Sequence, residues 1–230
     1  SDIAAQRLSA LIKPFILRRL KAGVLKELPP KTESDVICPL EGNQRDVYIA
    51  NLGSVRDSVT AAGEHVNKVV VLSMLTKLRQ ICCEPKLVYP EYTGNSAKSD
   101  ACLDLVRTAV QSGHKVLLFS QFTSMLELLR VRLSEEGITH FLLKGDTPKV
   151  ERIKLVSRFN TDKTDVFLIS LKAGGTGLNL TGADVVIHYD PWWNESVMHQ
   201  ATDRAYRIGQ DKPVQVYKLL LQNSIEERIV

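Results

Sequence analysis

The second half of the chain is punctuated by short apolar runs: VLLF (116–119), FLL (141–143), VFLI (166–169), VVIHY (185–189) and VQVYKLLL (214–221). A brief apolar run bounded by polar residues is the pattern of a strand buried on both faces. Stretches of helical length lie between most of them, at 122–136, 148–159 and 195–207. Strands alternating with helices require crossover connections, so the expected fold is α/β, a mostly parallel sheet clad by helices on both sides. Ligands of such sheets bind beyond the carboxyl ends of the strands. Functional residues are therefore expected just after each run.

The first hundred residues read differently. LSALIKPFILRRLKAGVLKELPPK mixes apolar and basic residues at helical spacing, is interrupted by Pro14 and ends at Pro29–Pro30. A double proline blocks helix and favours an extended connector, so this segment reads as the tail of something upstream followed by a linker. TESDVICPL (32–40) alternates at Val36, Cys38 and Leu40, as a short strand does. Residues 43–62 and 66–82 are predicted helices, and the apolar run KVVVLSML (68–75) is expected to be buried within the second. Pro85 and the turn-rich YPEYTGNSAKSD close the region.

With 44% hydrophobic and 24% charged residues, the 230-residue composition is that of an ordinary soluble protein. A net charge of +4 permits nucleic-acid contact without arguing for it. The cysteines at 38, 82, 83 and 102 match no zinc spacing, and buried, reduced thiols are expected. No metal site is predicted. With no signal peptide and no bilayer-length apolar run, the expectation is an intracellular protein without a membrane segment.

Each strand is followed by a distinct cluster. Ser120-Gln121-Phe122-Thr123 follows the first, and Gly145-Asp146-Thr147-Pro148 the second; taken singly, both read as helix caps. Gly174, Gly175 and Gly177 follow the third, where backbone N–H groups can approach an anion. Leu180 stands where a dinucleotide fingerprint needs its last glycine, and no Gly-Lys-Ser/Thr occurs anywhere. A purely structural tight turn remains open. Trp192 and Trp193 follow the fourth run, with core packing and ligand contact equally admissible. In QATDRAYRIGQ (200–210), Asn194 suits the N-cap of a helix and Gly209 its far end. At 100° per residue, Gln200, Arg204 and Arg207 then share an arc of about 60°. Two guanidiniums on one rigid face suit an anion, although a salt bridge with Asp203 is the plainer alternative.

Taken in order, KVLLFSQF, FLLKGDTPKVERIKLVSRFN, LISLKAGGTGLNLTGADVVIHYDPWWN and QATDRAYRIGQ resemble motifs IV to VI of the second RecA-like lobe of Swi/Snf-type DNA translocases. PFILRRLKAGVLKELPPK and LTKLRQICCEPKLV are similar to that family's inter-lobe linker and helical insertion. The resemblance implies a RecA-like parallel sheet, a small helical insertion and an N-terminal linker helix. It divides the chain into linker (1–31), first strand plus insertion (32–99) and lobe proper (100–230). It further implies that Arg204 and Arg207 are arginine fingers supported by Gln200. Gly175 and Gly177 would border the nucleotide. Ser120, Gln121, Ser170, Lys172 and Trp193 would line a duplex-DNA track.

By the same resemblance, ATP with Mg2+ is held mainly by an N-terminal lobe absent from this sequence, and no cofactor is expected to bind this chain tightly. The expected partners are duplex DNA and that lobe, the chain itself being a monomer unable to hydrolyse ATP alone. The setting would be cytoplasm or nucleoid in a prokaryote, and the nucleus in a eukaryote. Lys144, Met198 and His199 depart from the family's commoner acidic residues. A stand-alone nucleic-acid or protein-interaction module is the alternative reading, and a dinucleotide oxidoreductase a second.

Overall fold

Each apolar run forms a strand near its expected limits: β2 (Val116–Ser120), β3 (His140–Leu143), β4 (Val166–Ser170), β5 (Val185–His188) and β6 (Val214–Leu221), with β1 (Lys31–Cys38) ahead of them. The computed structural model describes residues 28–62, 67–174 and 177–229. The linker helix expected within 1–31 thus falls almost wholly outside the described residues. The strands form one six-stranded sheet in the order β1-β6-β5-β2-β4-β3, every neighbouring pair parallel. The helices are α1 (Gly42–Ala62), α2 (Lys68–Cys83), α3 (Ala97–Gln111), α4 (Thr123–Glu135), α5 (Lys149–Thr161), the single turn α6 (Leu171–Gly174) and α7 (Glu195–Thr202).

Two-sided burial explains why the runs do not alternate. Successive strand side chains point to opposite faces, and here both faces are filled. Val116, Leu118, Val166, Leu168, Val185 and Ile187 meet Val106 of α3 and Leu126 and Leu129 of α4. Leu117, Phe119, Phe167, Ile169 and Val186 meet Phe159 of α5 and Ala201 of α7. Edge strand β1 keeps only the weak pattern seen in the sequence, and is mostly exposed before Cys38. Its Glu33 carboxylate accepts from Lys31 at 2.6 Å and pairs with Lys218 of β6 at 3.3 Å, which holds its pKa below the usual range. Charge along an edge discourages pairing with another chain.

α1 and α2 pack beside β1 through a third cluster of Tyr48, Leu78, Ile81 and Cys82 against Cys38 and Leu221. The expectation that 68–75 is buried fails. Val69 is 73% exposed and Leu72 62%, while burial begins at Leu78. The reason is reach: only the last turns of α2 meet this third cluster. The four cysteines are buried and unbridged.

One ion pair sits wholly inside this region. Lys98, near the start of α3, donates to both Glu226 oxygens at 2.8 and 2.9 Å, with both side chains fully buried. The backbone N–H of Leu221 also donates to Glu226, at 2.9 Å. Burial works against the Lys98 ammonium, but Glu226, helped by Cys83 and Asp190, keeps the lysine pKa above its ordinary value. The pair fastens the turn after β6 to the helical layer. Lys98→Met should lower unfolding free energy by about 3–5 kcal/mol, because an uncompensated carboxylate stays buried. Lys98→Met with Glu226→Gln should recover most of that loss, and equilibrium urea unfolding of the three chains measures both.

Candidate functional site

Parallel register lines up the carboxyl ends of the central strands. Ser120 lies opposite Ser170, and Phe119 opposite His188. The residues that follow β5, β2 and β4 therefore crowd a single edge of the sheet, where Ser120, Gln121, Ser170, Lys172 and Trp193 are all found. They are not presented equally. Lys172 is exposed on α6, and Trp193 is 53% exposed, whereas Trp192 packs half-buried against the second-face cluster. One tryptophan is thus drawn towards the core and the other left largely on the surface. Ser120 and Ser170 are buried.

The Ser120 hydroxyl donates to Asp190, and the Gln121 backbone N–H reaches both Asp190 oxygens at 3.3 Å. Asp190 is itself buried, which raises its pKa, while the Ser120 bond and the cations of Lys98 and Arg79 act in the opposite sense. It clamps the loop after β5 to the loop after β2. Sequence reasoning gave Asp190 no role; its only signal was an acidic residue ending an apolar run.

Arg79 was missed as well. It lies on α2, outside the lobe's own loops, yet it is buried against them. One guanidinium nitrogen donates to Gln121 Oε1 at 3.0 Å and another to the Pro191 carbonyl at 2.5 Å. The rings of Phe122, Trp192 and Trp193 lie 5.8, 5.5 and 5.4 Å from its central carbon.

The arginine segment departs from expectation in two ways. Asn194 caps α7, accepting from the Ser196 N–H at 3.1 Å, but the helix ends at Thr202 rather than at 207. Residues 203–209 form successive turns. Past Thr202 the backbone bonds tighten from helical spacing, Arg204 N–H taking the Ala201 carbonyl at 3.1 Å and Arg207 N–H that of Ala205 at 3.2 Å, and long-range bonds hold the segment in this turned form. Leu180 N–H takes the Arg204 carbonyl at 2.9 Å, and the buried Gln210 amide bonds the carbonyls of Ala205, Ala183 and Thr181 at 3.2, 2.7 and 3.3 Å. Arg204 and Arg207 therefore leave the helical arc shared with Gln200, which stays exposed on α7. Gly209 adopts positive φ (97°), but it closes the following turns and does not cap the helix, which ends at Thr202.

Nor do the two arginines stand open to solvent. Both are half-buried, and Arg207 donates to the Leu178 carbonyl at 3.4 Å. Arg204 Nε is buried without a hydrogen-bond partner, and burial together with the Arg207 charge depresses its pKa. The two half-buried cations lie beside the 177–180 loop, whose Gly177 has φ of 52°, with the Asp203 carboxylate acting against the depression. An anion would satisfy this arrangement. Gly175 lies outside the described residues. Among the described residues, no group of three or more His, Cys, Asp or Glu side chains is placed to hold a metal, and no helix is long and apolar enough to cross a membrane.

Residues 97–209 match the model of the helicase conserved C-terminal domain, and residues 1–87 that of the SNF2-related domain. The chain is 41% identical over 238 residues to a mouse SWI/SNF-related matrix-associated actin-dependent regulator of chromatin, subfamily A member 1, covering 98% of this chain and 23% of that protein. It superposes on the C-terminal domain of a Sulfolobus solfataricus SWI2/SNF2 ATPase with a TM-score of 0.73 and 30% identity, covering 86% of this chain and 83% of that one. The SWI2/SNF2 ATPase core from the same organism, solved in complex with dsDNA, gives 0.77 and 35%, covering 99% and 49%. The chain spans about a fifth of the length of the curated relatives it matches.

His188 seats the arginine segment on the sheet. Its Nε2 lies 2.9 Å from Thr202 Oγ1, at the end of α7, and its ring stacks on Phe119. Burial, reinforced by the Lys218 charge, lowers its pKa from 6.5 to about 3. Below pH 6.5 the unfolded chain takes up a proton that the folded chain refuses, so stability is present above that pH and lost as pH falls. Going from pH 7 to pH 5 should remove about 2 kcal/mol through this group. In urea titrations at both pH values, His188→Gln should show a correspondingly smaller loss.

Proposed function

The chain belongs to the SWI2/SNF2 family of ATP-dependent helicases and remodellers, with a helicase C-terminal domain over residues 97–209, and on that premise we propose that it is the C-terminal motor lobe of a duplex-DNA translocase. Residues 1–31 are assigned to the inter-lobe linker, 32–99 to the first strand and helical insertion, and 100–230 to the lobe proper. ATP and Mg2+ are assigned mainly to an N-terminal lobe of the same protein. Arg204 and Arg207 complete the nucleotide site when the lobes meet, with the Gly175–Gly177 loop at its border, and Gln200, one helix end away on α7, is assigned a supporting role there.

The observation that carries this reading is the half-buried arginine pair, with Arg204 Nε lacking any acceptor. Like charges held near each other and partly shielded from water repel, and a bound anion would relieve that repulsion. In phosphoryl transfer, such cations stabilise the charge on the moving phosphoryl group, which is worth about 10³–10⁵-fold in rate. The DNA reading draws on the solved dsDNA complex of the Sulfolobus core. Lys172 and Trp193 are exposed to meet a duplex, Gln121 is half-buried, and Ser120 and Ser170 shape the track from below. Contacts of this kind, made to phosphate and sugar, give salt-sensitive affinity without sequence choice. A DNA substrate places the protein inside the cell.

In the full-length protein, Arg204→Ala or Arg207→Ala should lower DNA-stimulated ATP turnover by about 10³-fold or more with duplex affinity retained. Steady-state phosphate release and fluorescence anisotropy measure the two effects, and unchanged turnover would make the arginines structural. The isolated 230-residue chain should release no phosphate above background at saturating duplex; measurable turnover there would show that it carries a complete site.

A further inference from the structure

The geometry points to Arg79 as a positioning residue for the DNA face, acting through Trp193 and Gln121 from the helical insertion. This rests on the reading above, in which those two side chains meet duplex. Loops that follow different strands have no covalent reason to keep a fixed spacing. Here Arg79 holds two of them at once, Gln121 after β2 and Pro191 after β5, with bonds of 3.0 and 2.5 Å. Its guanidinium also lies within cation–π range of three rings, those of Phe122, Trp192 and Trp193. Trp193 is the more exposed tryptophan of the pair, with its ring set against Arg79 on one side.

The chemistry is particular to arginine. A planar fork can donate along two directions while its faces stack on aromatic rings; a lysine ammonium supplies the charge but neither the fork nor the plane. Asp190 braces the same two loops from within, through Ser120 and the Gln121 backbone. Arg79 does so from the insertion side, and of the two it is the one that meets the side chains of both Gln121 and Trp193. The insertion is thereby coupled to the DNA face. A displacement of the last turns of α2 would shift Gln121 and Trp193 together.

The two tryptophans are the only ones in the 230-residue chain, so intrinsic fluorescence reports this contact directly. In that chain, Arg79→Met should shift emission to longer wavelength and increase quenching by acrylamide, and Arg79→Lys should lie between it and the parent. In the full-length protein, Arg79→Met should raise the duplex concentration for half-maximal ATP turnover about 10-fold, as for loss of one good polar contact. The maximal rate should fall less than about twofold, whereas a merely structural defect would lower it at every DNA concentration. Arg79→Lys, with intermediate behaviour, serves alone if the methionine variant does not fold. Unaltered fluorescence in the variants overturns the proposal whatever happens with DNA. Altered fluorescence with an unchanged duplex requirement also overturns it, provided that Trp193→Ala raises that requirement. If Trp193→Ala itself has no effect on the duplex requirement, the DNA-face reading fails, and the proposal with it.

Discussion

Because β2 and β4 are packed on both faces along their whole length, polar side chains can leave the middle of this sheet only at the strand ends. Parallel register then brings those ends level, so that Ser120, Ser170 and the segment after His188 become neighbours although they are far apart in sequence. The candidate site is a product of that constraint. It needs no deep pocket, only loops held at fixed spacing above a rigid floor. Asp190 and Arg79 supply the spacing, one from beneath the loops and one from the helical insertion.

Much of the lobe was legible because its determinants are local. Apolar runs located β2 to β6, and proline or glycine punctuation bounded the helices between them. β1 was readable from three alternating apolar positions, one of which, Leu40, lies just beyond the strand. The α2 run misled because apolar character marks what is able to be buried, and its first turns project past the residues that would cover them. Motif order supplied the family, and no single loop would have sufficed: the glycine cluster after β4 lacked both standard nucleotide fingerprints.

What stayed hidden depends on long-range side-chain bonds. A helix through Arg207 was the reasonable reading of residues 195–207, and nothing local forbids it. Leu180, bonded to the Arg204 carbonyl, and Gln210, bonded to that of Ala205, hold the segment in a turned form, and both lie outside it. The arginines are then half-buried beside the 177–180 loop instead of lining a helical face. Arg79 was invisible for a similar reason. Its partners stand 42 and 112 residues away, and a basic residue on an amphipathic helix ordinarily reads as solvated surface.

The place of β1 bears on how the chain is made. Among the described residues it stands at the sheet edge and pairs with β6 alone, Lys31 opposite Val214 and Cys38 opposite Leu221. During synthesis β1 leaves the ribosome long before its partner exists, by roughly 10–35 s at ordinary elongation rates. Throughout that interval its hydrogen-bonding edge stays unmatched, and from its own emergence onwards the Lys98 ammonium likewise awaits Glu226. The lobe therefore cannot close from its amino-terminal end as it emerges; a late, nearly simultaneous docking of β6 and the following turn completes it. The polar KTES stretch of β1 fits that delay, because a strand that must wait is safer when it is soluble.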